Sequence, residues 1–261
     1  MLKFSALAVS LLACTSDTRD LERKIDALST RINTLEARVG AGARAQPPQR
    51  PRRPEPEPKD VFAVSIEGLP FRGPADAPIT IVEGYEYACP ACNVARQSVK
   101  QTFEKYGDKV RVVYKPYIVH PDVAIDSSVA VCAAHQQGKF DAMDTAVWEK
   151  AFGTRDFSAA KLSTVAAETG LDMARYTKDL PSCRQSVMQH HAELEGFGQG
   201  ATPTFYINGR YVVGASPAKL HAVIDQELAL AEERINAGTA KADYYATWVI
   251  GKGLKKFEPK S

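Results

Sequence analysis

The sequence predicts a mixed α/β domain in which a strand–helix–strand half and a hairpin–helix half are separated by a block of helices. Three observations carry this. Residues 79–93, ITIVEGYEYACPACN, run from four β-branched residues into a Cys-x-x-Cys at the start of a helical pattern. Residues 122–200 then keep helical periodicity, punctuated by cap and stop signals. Finally, 204–208 and 211–213 read as short strands around Asn208-Gly209, a hairpin signal, with a last helix over about 217–237. A short coiled coil and a proline-rich linker precede this domain.

The 261-residue chain carries a formal net charge of +2 with 25% charged residues, which argues against a nucleic-acid partner. Its start, Met1-Leu2-Lys3 followed by ten apolar or small residues over 4–13, has the length of a signal-peptide core and is too short to span a bilayer. Leu11-Leu12-Ala13-Cys14 resembles the lipobox of bacterial lipoproteins. That resemblance implies a signal peptide over 1–13 and lipidation of Cys14. It also implies a periplasm-facing place in the bacterial cell envelope, with Thr15 after the cysteine favouring the outer membrane. The alternative is an ordinary signal peptide with an incidental cysteine. Setting Cys14 aside leaves four of five cysteines, an even number for an oxidising compartment.

Residues 14–40 hold the coiled-coil segment. Leu21, Ile25, Leu28, Ile32, Leu35 and Val39 are spaced 4, 3, 4, 3, 4, with Leu at d and β-branched residues at a, a choice that favours a parallel dimer over 18–39. Arg31 at g and the following e residue, Glu36, are placed to pair between chains. About three heptads are marginal alone, and a monomeric amphipathic helix is the competing reading. Residues 41–60, with Pro47, Pro48, Pro51, Pro54, Pro56 and Pro58, read as an extended spacer; at ~3.1 Å per residue, 46–59 reaches about 40 Å.

The globular domain is expected over 61–261. Residues 61–66 read as a first strand and 68–78 as a turn-rich connection. The strand of 79–82 follows, then a helix from the Cys-x-x-Cys to Tyr106 with Ala95, Val99 and Phe103 on one face, then an alternating strand over 110–115. Within the helical block, Asp122 is expected to cap a helix stopping near Gly138 and Ser158 one stopping at Gly170. Asp172 is expected to cap one stopping before Pro181, and Ser182 the last. Tyr244, Tyr245, Trp248, Val249 and Ile250 are expected to pack on the domain as a short helix, with Lys252, Lys255 and Lys256 solvated.

The chemistry concentrates at Cys89-Pro90-Ala91-Cys92. Unpaired N–H groups and the positive dipole end of a helix stabilise a thiolate at Cys89. Pro90 has no N–H to leave unpaired in the first turn, and Cys92 lies on the same face, within reach of a disulfide with Cys89. Glu83 closes the apolar strand; a carboxyl group in such surroundings has a raised pKa and is placed to exchange a proton with Cys92. A solvent-facing Glu83 and a zinc half-site are the competing readings. Cys132 and Cys183 sit on inward faces of their helices and are expected either to form a structural disulfide, enclosing about 50 residues and contributing roughly 4 kcal/mol, or to remain buried free thiols. His190 and His191 point in different directions from one helix and read as ordinary residues.

The early Cys89-Pro90-Ala91-Cys92 and the late segment 201–209, ATPTFYING, flank a helical insertion, and together they resemble the DsbA-like thiol–disulfide oxidoreductases of the thioredoxin superfamily. The resemblance covers 61 to about 237. It implies a thioredoxin fold with an insertion over about 122–200, and disulfide formation in exported cysteine-containing proteins through a redox-active Cys89–Cys92 pair. It also implies a membrane redox partner that resets the dithiol. It places Pro203 in cis facing the dithiol, Thr202 against the nucleophile and bound peptide, and Glu83 as the buried acid beneath Cys92. Neither a cofactor nor a resident metal is expected. Ala91 stands where a histidine is common. Alternatives are an isomerase or reductase of the same fold, a zinc-binding structural module using Cys89, Cys92 and two of Cys132, Cys183 and the histidines, and a lipid-anchored spacer whose globular end only binds partners.

Overall fold

A computed structural model describes residues 15–42 and 55–259. Cys14, the signal segment and most of the proline-rich linker lie outside the described residues. Two compact units result, 1–53 and 54–261.

In the first unit, helix α1 (Thr15–Gly42) carries Leu21, Ile25, Leu28, Ile32 and Leu35 along one stripe, each 53–59% exposed. These five large apolar side chains form a continuous exposed stripe at heptad spacing.

The second unit is built on a five-stranded sheet of order β1-β3-β2-β4-β5. The strands are β1 (Phe71–Arg72), β2 (Ile79–Tyr85), β3 (Val110–Pro116), β4 (Thr204–Ile207) and β5 (Arg210–Val213). β2 is central, parallel to β3 and antiparallel to β4, and all seven of its residues are buried. Burial on both faces explains the unbroken apolar run that identifies this strand in the sequence. Ile79, Ile81 and Tyr85 face the larger core with Ala95 and Val99 of α2 (Pro90–Tyr106), while Val82 faces a smaller cluster around Phe62, Leu194, Phe197 and Tyr206. At Asn208-Gly209, φ is 45° and 84°, the left-handed pair that a two-residue hairpin demands. Asn208 also ties the hairpin to β2, accepting from Thr80 N and donating to the Pro78 carbonyl.

Between β3 and β4 the chain passes through α3 (Pro121–His135), α4 (Phe140–Ala146) continued by a π-helical stretch (Val147–Phe152), α5 (Ala159–Glu168) and α6 (Met173–Gly196). The last long helix, α7 (Pro217–Asn236), packs on α2, with Tyr106 donating to Asp225. Ser158 and Asp172 cap α5 and α6 as expected, their side chains accepting from Lys161 N and from Ala174 N and Arg175 N.

Several boundaries differ from the sequence reading. Residues 61–66 form no strand: Val61 and Phe62 make only isolated bridges, to Arg210 and Leu254, and the edge strand is β1, inside the expected turn region. Phe62 and Val64 are apolar because they fill the smaller core. His120, not Asp122, is the N-cap of α3, because Pro121 takes the first helical position, and the helix stops at His135. Pro181 does not end a helix. α6 runs through it, since Tyr176 on one side and Cys183 and Val187 on the other are all buried, outweighing the ~3 kcal/mol penalty of an internal proline. Ser182 therefore caps nothing, and its hydroxyl donates to the Asp179 carbonyl. The end of the expected linker is docked on the domain: Pro56 is buried and the Pro58 carbonyl accepts from Arg210. The C-terminal segment packs as a π-helical turn (Tyr245–Ile250), with Tyr245 donating to the Val64 carbonyl.

Candidate active site

The site forms where the carboxyl end of β2 meets the first turn of α2. Cys89 is the N-cap of α2, and Pro90 occupies its first turn. Both Cys89 and Cys92 are free and buried. Thr202–Pro203 is a cis peptide, and the Thr202 carbonyl lies 3.5 Å from Cys89 Sγ. The loop bearing it is held by Gln199, whose Nε2 donates to the Ala201 carbonyl (3.1 Å) and the Gly84 carbonyl (3.4 Å) and whose Oε1 accepts from Tyr206. Gly84 is required here, because a Cβ would come within 2.6 Å of the Gln199 amide.

The two thiols are driven apart electrostatically. Cys89 is lowered from 9.0 to about 5, first by a hydrogen bond from Cys92, then by the Thr202 side chain and the backbone N–H groups of Cys92 and Ala91, against the opposing effect of burial. Cys92 is pushed far up, by donating that bond, by burial and by the nearby Glu83. One sulfur is thus held as the thiolate and the other as its proton donor.

Glu83 is 3% exposed on β2. Burial first, and then the charge of Asp144, raises its pKa from 4.5 to about 8, with Arg72 and Arg96 opposing. It is not solvent-facing in the ordinary sense. It lines, with Cys92, a cleft of about 610 Å³ bordered by Arg72, Arg96, Asp144 and Trp148. That cleft gives a proton on Glu83 a route to water.

The sequence does not announce the surroundings of Glu83. Asp144 is 2% exposed, accepts from Tyr87 and is paired with Arg72 Nη2 at 2.9 Å. Arg72 also reaches Asp141 and stacks against Tyr114 and Phe140. A second buried acid, Glu86, opens the loop between β2 and α2; it accepts from Val119 N and His120 N and pairs with the His120 ring, fixing the start of the insertion beside the site. Glu86 was traceable in the sequence, three residues before Cys89. The Arg72–Asp144 pair spans a separation that no local pattern reveals.

Cys132 and Cys183 are joined in a disulfide, Cα–Cα 5.7 Å, linking α3 to α6. They are therefore taken from the zinc set considered above, and among the described residues no group of three or more His, Cys, Asp or Glu side chains is placed to hold a metal ion. His190 is buried enough to be lowered to about 4, and His191 Nδ1 accepts from Ile118 N, so both are satisfied structural residues. Pro90 and Ala91 are exposed at the mouth of the site, while Pro203 is buried behind it.

The family described as Thioredoxin matches residues 66–226. Among curated proteins, the Na(+)/H(+) antiporter NhaA of Herminiimonas arsenicoxydans is 33% identical over 153 residues, 57% of this chain and 24% of the antiporter. NhaA 1 of Mycobacterium sp. (strain KMS) is 27% identical over 147 residues, 54% of this chain and 23% of that protein. The chain thus spans about a quarter of the length of the curated relatives it matches. No helix among the described residues is long and apolar enough to cross a membrane. Among solved structures, oxidised BdbD from Bacillus subtilis superposes with a TM-score of 0.56 at 19% identity, covering 65% of this chain and 98% of that one. The catalytic domain of Proteus mirabilis ScsC gives 0.54 at 22%, covering 64% and 93%, and the thiol-disulfide exchange protein α-DsbA2 from Wolbachia pipientis gives 0.54 at 16%, covering 63% and 89%. These likenesses establish a shared fold.

Proposed function

The chain belongs to the thioredoxin family, with the fold of the DsbA-like thiol–disulfide oxidoreductases, and we propose that it forms disulfides in exported cysteine-containing proteins through Cys89 and Cys92. The observation that carries this is the split between the two sulfurs: a dithiol is oxidising to the extent that its reduced form is stabilised, and Cys89 is stabilised as a thiolate at about 5.

The reaction starts from the Cys89–Cys92 disulfide. A substrate thiolate attacks Cys89 Sγ, the Cys89–Cys92 bond breaks, and the electron pair leaves on Cys92, which takes a proton from Glu83. A second substrate thiolate then attacks the substrate sulfur of the mixed disulfide and expels Cys89 as a thiolate. The substrate gains one disulfide and the protein two electrons, which pass to a disulfide of a membrane redox partner. The Thr202 carbonyl, 3.5 Å from Cys89 Sγ, supports a role for Thr202 and the cis Pro203 in holding the substrate backbone, while Glu83 recovers its proton through the cleft. Cys89→Ser is expected to abolish oxidation of a reduced cysteine-containing peptide, and Cys92→Ser, whose lone Cys89 thiolate has no resolving partner, to accumulate a mixed disulfide when offered the oxidised, disulfide-bonded peptide. Full turnover by Cys89→Ser protein contradicts the assignment.

The N-terminal segment is read as a lipid anchor at Cys14 that holds the protein, periplasm-facing, on an envelope membrane; a mature protein whose mass shows no acyl groups removes the anchor. A second copy of this chain is the partner that α1 fits. Glu22 and Glu36 occupy e positions and Lys24 and Arg31 occupy g positions. In a parallel pair Arg31 at g meets Glu36 at the following e, base against acid, whereas an antiparallel pair sets e against e and g against g, like charges together. Such a dimer holds two dithiols in one molecule, which favours isomerase activity as a second reading. Removing residues 15–42 and measuring refolding of a scrambled disulfide protein separates the two: loss of isomerisation with oxidation intact supports the isomerase.

A further inference from the structure

We propose that Arg155, delivered from the helical insertion, is a positioning residue for Cys89: it fixes the carbonyl that leads into the nucleophile and sets a positive charge beside it. The proposal rests on the reading of Cys89 as the nucleophile.

Arg155 follows the π-helical stretch Val147–Phe152, with its N–H bonded to the Phe152 carbonyl at 3.1 Å. Its φ is +55°, and among the described residues the only other non-glycine at positive φ is Asn208. Asn208 accounts for itself, as an Asn in a hairpin whose side chain makes two buried hydrogen bonds. Arginine has no such local advantage in the left-handed region, so something beyond the turn keeps it there.

What it reaches is the active-site loop. Nη1 donates to the Ala88 carbonyl at 3.0 Å, one residue before Cys89. The guanidinium lies over the rings of Phe152 (4.9 Å) and Phe157 (5.7 Å), which hold its plane. Among the described residues no carboxylate lies within ion-pair distance of it. The acids nearby are engaged elsewhere: Glu86 with His120, and the adjacent Asp156 with Ser158. Glu83 on β2 faces Cys92 within the cleft, and Cys92 itself is held as the neutral thiol. With no carboxylate paired to it, the exposed guanidinium is held at the Ala88 carbonyl, one residue from a cysteine whose own dipeptide, Pro90-Ala91, carries no charge.

This juxtaposition answers a question that the dipeptide raises. Where Ala91 supplies neither donor nor charge, an arginine from the insertion takes that part, so the insertion tunes the redox centre as well as covering it.

Three variants of the full chain, Arg155→Gly, Arg155→Met and Arg155→Lys, decide it, read by thiolate absorbance across an acid titration and by exchange with glutathione. Arg155→Gly and Arg155→Met are expected to move the Cys89 midpoint up by about half a pH unit, a roughly threefold loss of thiolate on the acid side. Arg155→Lys, which keeps the charge, is expected to recover most of it. Glycine adopts positive φ freely, so Arg155→Gly is expected to keep the wild-type melting temperature, separating the change in thiolate from any loosening of the fold. Midpoints unchanged in Arg155→Gly and Arg155→Met, whatever the melting temperatures, overturn the proposal. Wild-type protein that shows no thiolate in the acid range and no exchange with glutathione refutes instead the reading of Cys89 beneath it.

Discussion

Replacing Glu83 by glutamine is expected to stabilise the fold and slow the chemistry at the same time. In the folded protein burial raises the Glu83 pKa from 4.5 to about 8, so the native state holds this proton more tightly than the unfolded chain. The resulting stability is fully present below pH 4.5 and is lost as pH rises through 8. At ~1.36 kcal/mol per pKa unit the bound on that loss is ~4–5 kcal/mol, and hydration from the adjoining cleft reduces it to about 2–3 kcal/mol. Glutamine is nearly isosteric with the protonated acid and does not titrate. Glu83→Gln should therefore match wild type near pH 4.5 and exceed it by about 2–3 kcal/mol at pH 8, measured by urea unfolding of the reduced protein at both pH values. Release of Cys92 during thiol exchange should fall by about 100-fold, because its proton partner is gone. Equal stability of the two proteins at pH 8 would refute the buried, proton-holding Glu83.

Three further outcomes are expected. Ala91→His should lower the Cys89 pKa and make the pair more oxidising by about 30 mV, read from glutathione equilibria, since position 91 is exposed at the helix N-terminus and has room for the ring. Replacing both Cys132 and Cys183 by alanine should cost about 2–4 kcal/mol in urea unfolding without moving the Cys89 thiolate titration, because the bond closes a separation of 51 residues between α3 and α6 and neither sulfur is among the groups that lower the Cys89 pKa. A chain of residues 15–261 should sediment as a dimer at tens of micromolar, and Ile32→Lys in the exposed stripe of α1 should return it to monomer.

The parts of this fold that the sequence exposes are those set by local periodicity and turn chemistry. β2 is legible because both its faces are buried, the Asn208-Gly209 hairpin because its turn needs two positive φ values, and α5 and α6 because Ser158 and Asp172 cap them directly. Tertiary packing defeats the reading elsewhere. Pro181 lies within a continuous α6 because buried residues on either side hold the helix together, and residues 61–66 fill a core without pairing as a strand. In the candidate site, Cys89, Cys92 and Glu83 are visible as a spacing within one strand–helix unit. Asp144, Arg72 and Arg155 are not, because Asp144 and Arg155 come from the insertion and Arg72 from the edge strand β1, and only the folded chain brings them there.

The most direct test of the central claim is the reduction potential of the Cys89–Cys92 pair, measured by equilibration with glutathione and quantified by the mass of alkylated protein. A Cys89 thiolate held at about 5 stabilises the reduced form, so a value between about −180 and −120 mV is expected, in the range of disulfide-forming proteins. A value near or below about −270 mV, the range of a reductant, would contradict it.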